Sequence, residues 1–108
     1  MAREVSRGEI WMYTFDASDK RRPVIVISRQ TLLDVLHTAT IVPITTTRHG
    51  SPTEVELGVE DGLKTVSCAD LANIQTVNQR DLTRYVGTAR PEKLIELCRA
   101  LAIASGCD

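Results

Sequence analysis

Apolar and polar positions alternate with a period near two over the first two-thirds of the chain, then switch to a helical period near its end. Residues 8–16 place Trp11, Tyr13 and Phe15 on one face and Ile10, Met12 and Thr14 on the other, as a strand would. Residues 17–22 are polar and basic and read as a loop. Residues 23–28 form a near-continuous β-branched run, which predicts a central strand with Pro23 at its permitted first position. A short helix is expected within 30–37. A further strand is expected over 39–45, with Pro43 indicating an edge or a bulge. After a loop over 46–52, residues 53–57 alternate again, and Glu60-Asp61-Gly62 reads as a turn. Short strands follow at 64–68, 72–77 and 85–87. Pro91 suits a first helical turn and Glu92 its positive end. Leu94, Leu97, Cys98 and Leu101 then form an apolar stripe, and Gly106 marks the stop. Many short strands with one terminal helix predict a mainly β (α+β) fold over residues 1–108, a small, strongly bent β-barrel in a single domain. So small a core predicts dimerisation.

Composition narrows the function classes. Thirteen basic and fourteen acidic side chains give a net charge of −1, which excludes polyanion binding by bulk charge. Any nucleic-acid site must be a local patch. No apolar run could span a bilayer and no leader-like start is seen, so a cytoplasmic protein without membrane contact is expected. Cys68, Cys98 and Cys107 lack CxxC spacing, which fits a reducing compartment. Cys98, on the helix stripe, reads as a small core residue, and Cys107 as exposed. His37 and His49 read as exposed loop residues without ligand-spaced neighbours, so no metal is expected. Glycine-rich phosphate loops are absent, and no cofactor is expected.

Two segments carry candidate chemistry. Lys20-Arg21-Arg22-Pro23 opens the 23–28 run, and Pro43-Ile44-Thr45-Thr46-Thr47-Arg48 closes the next strand. If the two strands are antiparallel neighbours with Pro23 opposite Thr45 and Ser28 opposite Thr40, Arg22 meets Thr45 at one end of the sheet. Lys20 and Arg48 then lie close by. Guanidinium forks match phosphate oxygens and threonine hydroxyls can exchange protons, so this pole suits a phosphodiester. Residues 1–30 carry a net +2 and residues 54–70 a net −4, which agrees with a local patch. The plainer alternative is a solvated basic loop beside a Thr-rich strand end. Glu54 and Glu56 are expected to face water, Arg80, Arg84 and Arg90 to be solvated, and the Trp11/Tyr13/Phe15 stripe to be core rather than a base-stacking surface.

Arg7-Gly8-Glu9-Ile10-Trp11, Arg22-Pro23-Val24-Ile25-Val26-Ile27-Ser28, Val42-Pro43-Ile44-Thr45, Pro52-Thr53-Glu54-Val55-Glu56-Leu57 and Ile74-Gln75-Thr76-Val77 follow one another in an order that resembles the MazF/PemK-type toxin endoribonucleases, or mRNA interferases. The resemblance implies an SH3-like barrel, a homodimer, metal-independent cleavage of single-stranded RNA at short sequences, and inhibition by a cognate antitoxin. The family's catalytic arginine falls on Arg22 and its catalytic threonine on Thr45. The implied reaction is attack of a ribose 2′-OH on the adjacent phosphate, leaving a 2′,3′-cyclic phosphate and a 5′-OH. It needs a proton acceptor, a proton donor and positive charge at the phosphorane. Lys20, Arg21, Thr46, Thr47, Arg48, His49 and Asn73 are the expected RNA contacts.

The chain departs from the family where many relatives carry an acidic residue, here Ala72. Asp70, two residues earlier and on the same face of an extended segment, is the substitute catalytic carboxylate; its alternative is a solvated turn residue. The loop before Arg22 is shorter than in many relatives, so their target sequences do not transfer. Two rival readings share the fold. One is a CcdB-like gyrase-binding toxin, against which stands the absence of a C-terminal Trp-Gly-Ile; the other is a non-catalytic SH3-like binding module.

Overall fold

The computed structural model describes residues 4–15 and 20–108. Seven strands, β1 (Glu9–Phe15), β2 (Lys20–Val26), β3 (Thr38–Thr45), β4 (Glu54–Leu57), β5 (Ser67–Asp70), β6 (Gln75–Asn78) and β7 (Arg84–Thr88), form one curled sheet. Its order is β4-β5-β3-β2-β1-β7, and β6 also pairs with β3. A short helix, α1 (Gln30–Leu33), links β2 to β3, and α2 (Pro91–Ser105) closes the chain. The expected mainly β fold with a C-terminal helix is therefore what the chain forms. The part of the expected basic loop at 17–19 lies outside the described residues.

The β-branched run of β2 is central because both of its faces are covered. Ile25 enters one apolar cluster with Val42, Ile44, Val55, Leu57 and Leu97; Val24 and Val26 enter another with Trp11, Ala39, Ile41 and Val77. A strand buried on both sides reads as continuous rather than alternating. The helix stripe joins the first cluster through Leu94, Leu97 and Leu101. Cys98 does not join it. Contrary to the expectation of a core residue it is exposed, because it sits at the stripe's margin, where Arg7 Nη2 reaches its Sγ at 3.3 Å. Gly106 ends α2 in the left-handed region (φ 76°), as the stop signal implied.

Pro43 is neither on an edge nor at a bulge. Thr40 turns both backbone groups toward β2, accepting from Ile27 N at 3.0 Å and donating to Ser28 Oγ at 2.7 Å. Pro43, three residues on, turns the other way, into the gap where β3 leaves β6 (last pair Ile41–Gln75) and takes up β5 (first pair Ile44–Ala69). Its missing N–H therefore removes no ladder bond. The expected strands at 64–68 and 72–77 are both displaced. β5 begins only at Ser67, and residues Leu71–Asn73 form a 3₁₀ turn before β6. Asp70 drives that turn: its carboxylate caps the Ala72 N–H at 3.0 Å.

Candidate active site

The register between β2 and β3 differs by one residue from the sequence expectation. Val24 pairs with Pro43, Ile25 with Val42 and Val26 with Ile41. Continued by two steps, this register brings Arg22 directly opposite Thr45, and Pro23 opposite Ile44 rather than Thr45. The reason is core matching: a slip of one would put Ile44 on the face of Val24, and the two belong to different clusters.

Strand alternation then sorts the candidate residues by face. Tyr13 pairs with Arg22 and Phe15 with Lys20 across β1–β2, so both rings share the face of both cations. Arg22, Pro43 and Thr45 continue that face, and Cys68, Asp70, Glu54 and Glu56 extend it across β5 and β4. The three residues proposed from sequence as catalytic thus stand on one face at one end of the sheet. Arg21 pairs with Thr14 and so occupies the opposite face.

A groove of about 450 Å³ opens there, lined by Phe15, Lys20, Arg22, Pro43, Asn73, Ile74 and Gln75. Phe15 meets Tyr13 edge-on, with ring centroids 4.8 Å apart. The aromatic stripe serves two environments: Trp11 is buried and packs edge-on against Tyr85, whereas Phe15 is half-buried at the groove. Lys20 and Arg22 are exposed, and among the described residues neither side chain has an ion pair or hydrogen bond. On the far side of Pro23 a second, more apolar groove of about 460 Å³ is lined by Met12, Pro23, Ile44, Thr45, Thr46, Leu63 and Tyr85, among others. Ile74 and Gln75 were missed as groove residues because their position depends on the 3₁₀ turn, which the alternating pattern of 72–77 conceals.

Thr45 Oγ1 accepts the Thr47 N–H at 3.2 Å, which leaves the hydroxyl proton available. Thr46, Thr47, Arg48 and His49 follow in an exposed loop. Arg48 is not a free cation there. It forms an ion pair with Glu56, which raises the guanidinium pKa and lowers that of the carboxyl. Glu54 accepts from the N–H groups of His49 (2.8 Å), Gly50 (2.8 Å) and Ser51 (3.1 Å), and these bonds, led by that of His49, hold its pKa below the usual carboxylate value. Glu54 and Glu56 therefore do not simply face water, as alternation suggested; they anchor this loop. Asp70 accepts from Thr53 Oγ1 at 2.6 Å as well as from Ala72 N. Beneath the loop, burial pushes the Cys68 thiol up, assisted by Glu54. Among the described residues no three His, Cys, Asp or Glu side chains gather as metal ligands would.

Comparison with known proteins gives the family. The model of the PemK-like, MazF-like toxins of type II toxin–antitoxin systems matches residues 6–105. The chain belongs to the PemK/MazF toxin family. It is 31% identical to the probable endoribonuclease MazF2 of Mycobacterium tuberculosis over 94% of this chain and 98% of the relative. Among solved structures it resembles the M. tuberculosis toxin MazF-mt6 (32% identity, TM-score 0.84, 93% of this chain and 98% of that one). It also resembles a mycobacterial endoribonuclease solved in complex with its cognate antitoxin (27% identity, TM-score 0.85, 96% and 97%).

Proposed function

We propose that this PemK/MazF toxin is a sequence-specific endoribonuclease that cleaves single-stranded RNA without a metal and is held inactive by a cognate antitoxin. The observation that carries the reading is the β2–β3 register, which, continued two steps past Val24–Pro43, sets Arg22, without an ion pair among the described residues, opposite Thr45; Arg22 lines the groove that holds Phe15, and Thr45 lines the groove beyond Pro23. In the proposed reaction the ribose 2′-oxygen forms a bond to phosphorus and the P–O5′ bond breaks. The 2′-OH proton leaves to a base and O5′ receives a proton, giving 2′,3′-cyclic phosphate and 5′-OH ends. Arg22 stabilises the charge of the phosphorane, because a guanidinium donates to two phosphate oxygens at once. Thr45 donates to the phosphate or orients the 2′-OH. Asp70 is one of three carboxylates on that face, with Glu54 and Glu56, and its bonds to Thr53 Oγ1 and Ala72 N support a role in holding the Asn73 side of the groove alongside any part in proton transfer.

RNA contacts are proposed for Lys20 and Asn73 at the groove and for Thr46, Thr47 and His49 in the loop, with base stacking on Phe15. Arg48, tied to Glu56, braces the loop, and Arg21 contributes charge from the opposite face. The antitoxin is proposed to lay an acidic segment over the Lys20–Arg22 pole, and the toxin to act as a cytoplasmic homodimer over its one domain, residues 1–108. Exposed apolar side chains, Val35 at 73% and Ile95 at 56%, give a second copy or the antitoxin apolar surface to cover. No helix among the described residues is long and apolar enough to cross a membrane.

The deciding experiment incubates a long single-stranded RNA with the protein in excess EDTA and analyses the new ends. Cyclic phosphate and 5′-OH ends are expected, and Thr45→Ala should lose cleavage on the order of 10²-fold while remaining folded. Full activity in that variant, or 3′-OH and 5′-phosphate ends, would refute the reading. A folded protein that binds RNA but never cuts it would favour the non-catalytic module.

A further inference from the structure

Two carboxylates, Glu54 and Glu56, stand on the strand face that carries Arg22 and Thr45, where free negative charge would repel a phosphodiester. Both are committed. Glu56 holds Arg48, and Glu54 gathers three successive backbone N–H groups, those of His49, Gly50 and Ser51. The segment they hold is the one that leaves Thr45. Within it, Thr47 turns its N–H back onto Thr45 Oγ1. Gly50, in the left-handed region at φ 76°, lets the chain fold round the carboxylate, and no atom crowds the space where a side chain would start. A serine–threonine pair completes the brace: Ser51 Oγ lies 2.7 Å from Thr53 Oγ1, which donates to Asp70.

We propose that Glu54 is a positioning residue for cleavage: by clamping the N–H groups of 49–51 it fixes the loop so that Thr47 N–H occupies a lone pair of Thr45 Oγ1 and directs the hydroxyl proton toward the substrate. The proposal rests on the reading of Thr45 as a catalytic hydroxyl. Among the described residues the bond from Thr47 N–H is what ties the Thr45 hydroxyl to one staggered position. The clamp needs an ionised carboxylate, since only that form offers acceptors to three donors with none of its own. The groups facing Glu54 are those three N–H donors from the loop, Arg48, and Asp70 and Cys68 from β5. The loop's donors, led by His49 N–H, outweigh burial and the repulsion of Asp70 and hold the carboxyl below its ordinary value.

The test compares wild type, Glu54→Gln, Glu54→Ala, Thr45→Ala and the Glu54→Ala/Thr45→Ala double variant in single-turnover cleavage of RNA, with amide exchange at Thr47, His49, Gly50 and Ser51. Glu54→Ala is expected to lower kcat on the order of 10–10²-fold with KM nearly unchanged, because misplacement by about 1 Å has that effect. Glu54→Gln, which keeps one oxygen acceptor, should fall between. Exchange at Thr47 should quicken together with that of 49–51. In the Thr45→Ala background, Glu54→Ala should cost nothing further. An equal loss in both backgrounds, wild-type activity of Glu54→Ala, or an unchanged Thr47 amide would overturn the proposal while leaving Thr45 catalytic. Wild-type activity of Thr45→Ala would instead overturn the site and, with it, this proposal. Should Glu54→Ala not fold, Glu54→Gln carries the same comparison.

Discussion

The chain contains two Arg-Pro steps, Arg22-Pro23 and Arg90-Pro91, and the fold uses them in opposite ways. Arg90, at the entrance to α2, sends Nε and Nη2 to the two oxygens of Asp61 at 3.2 and 3.1 Å, while its backbone N–H adds a third bond at 2.9 Å. Asp61 is 1% exposed and also accepts the Gly58 N–H. Arg90 was expected to be solvated; the buried carboxylate claims it, since an unpaired charge there would be strongly unfavourable. The backbones meet tightly at the same place, with a Cβ on Gly87 falling 2.3 Å from Asp61 O. Arg22 sits in the same sequence context, yet among the described residues its guanidinium has no carboxylate partner. A guanidinium satisfied by the fold has its charge absorbed. One left over a groove keeps that charge for a ligand, and solvent makes the arrangement inexpensive.

Removing each guanidinium in turn tests that contrast most sharply. Arg22→Ala should lower RNA cleavage on the order of 10²–10³-fold and leave the unfolding free energy within about 0.5 kcal/mol. Arg90→Ala should cost about 1–3 kcal/mol of stability, because it strips Asp61 of two charge-assisted bonds, with cleavage per folded molecule little changed. Urea unfolding and cleavage on the same preparations measure both. A comparable fall in cleavage for the two variants would erase the distinction. Gly87→Ala extends the comparison to the backbone and should destabilise by about 1–3 kcal/mol, since the atoms it meets are main-chain.

Acid sharpens the comparison further. Burial pushes the Asp61 carboxyl up, but the Arg90 side chain and the Arg90 and Gly58 N–H groups outweigh it, so its pKa in the folded protein lies below the ordinary 3.8. A depressed carboxyl contributes stability that is complete above its unfolded value and is lost as pH falls through the folded value. Wild type should therefore shed this contribution only below about pH 3.8, and Arg90→Ala should unfold at a higher pH. Arg22→Ala should leave the acid limb where it is. Circular dichroism from pH 6 to 2 reads all three proteins.

The strand that builds the site was legible because its chemistry is local: a β-branched run behind Pro23 announces a strand with two covered faces, and the Thr45 end follows from alternation. The one-residue register was not, because it depends on which of two clusters claims Ile44, a fact of tertiary packing. Asp70 looked like part of an extended segment because its neighbours alternate; its short side chain instead caps the turn that follows. Glu54 and Glu56 matched the pattern of a solvated strand face, and periodicity carries no record of a loop folding back over it. The signal that would have found Glu54 is the His49-Gly50-Ser51 segment just before it, a turn with backbone donors to satisfy.

The smallest predicted effect separates two adjacent cations. Lys20 shares the groove with Arg22, whereas Arg21 is set beside Thr14 on the other face. Each exposed cation adds to the field that attracts RNA, but only one within reach of a phosphate displaces a counterion from it. For single strands the logarithm of the binding constant falls with that of salt by about 0.7 for each phosphate neutralised. Lys20→Ala should therefore reduce the slope by about 0.7, and Arg21→Ala should lower affinity at low salt with little change in slope. A 2′-deoxy oligonucleotide, which lacks the attacking hydroxyl, lets binding be followed by fluorescence anisotropy without cleavage. Equal changes in slope would mean that both side chains reach the strand and that the faces set by β1–β2 pairing do not govern contact. Equal slopes with unchanged affinity would place the bound strand away from this end of the sheet altogether.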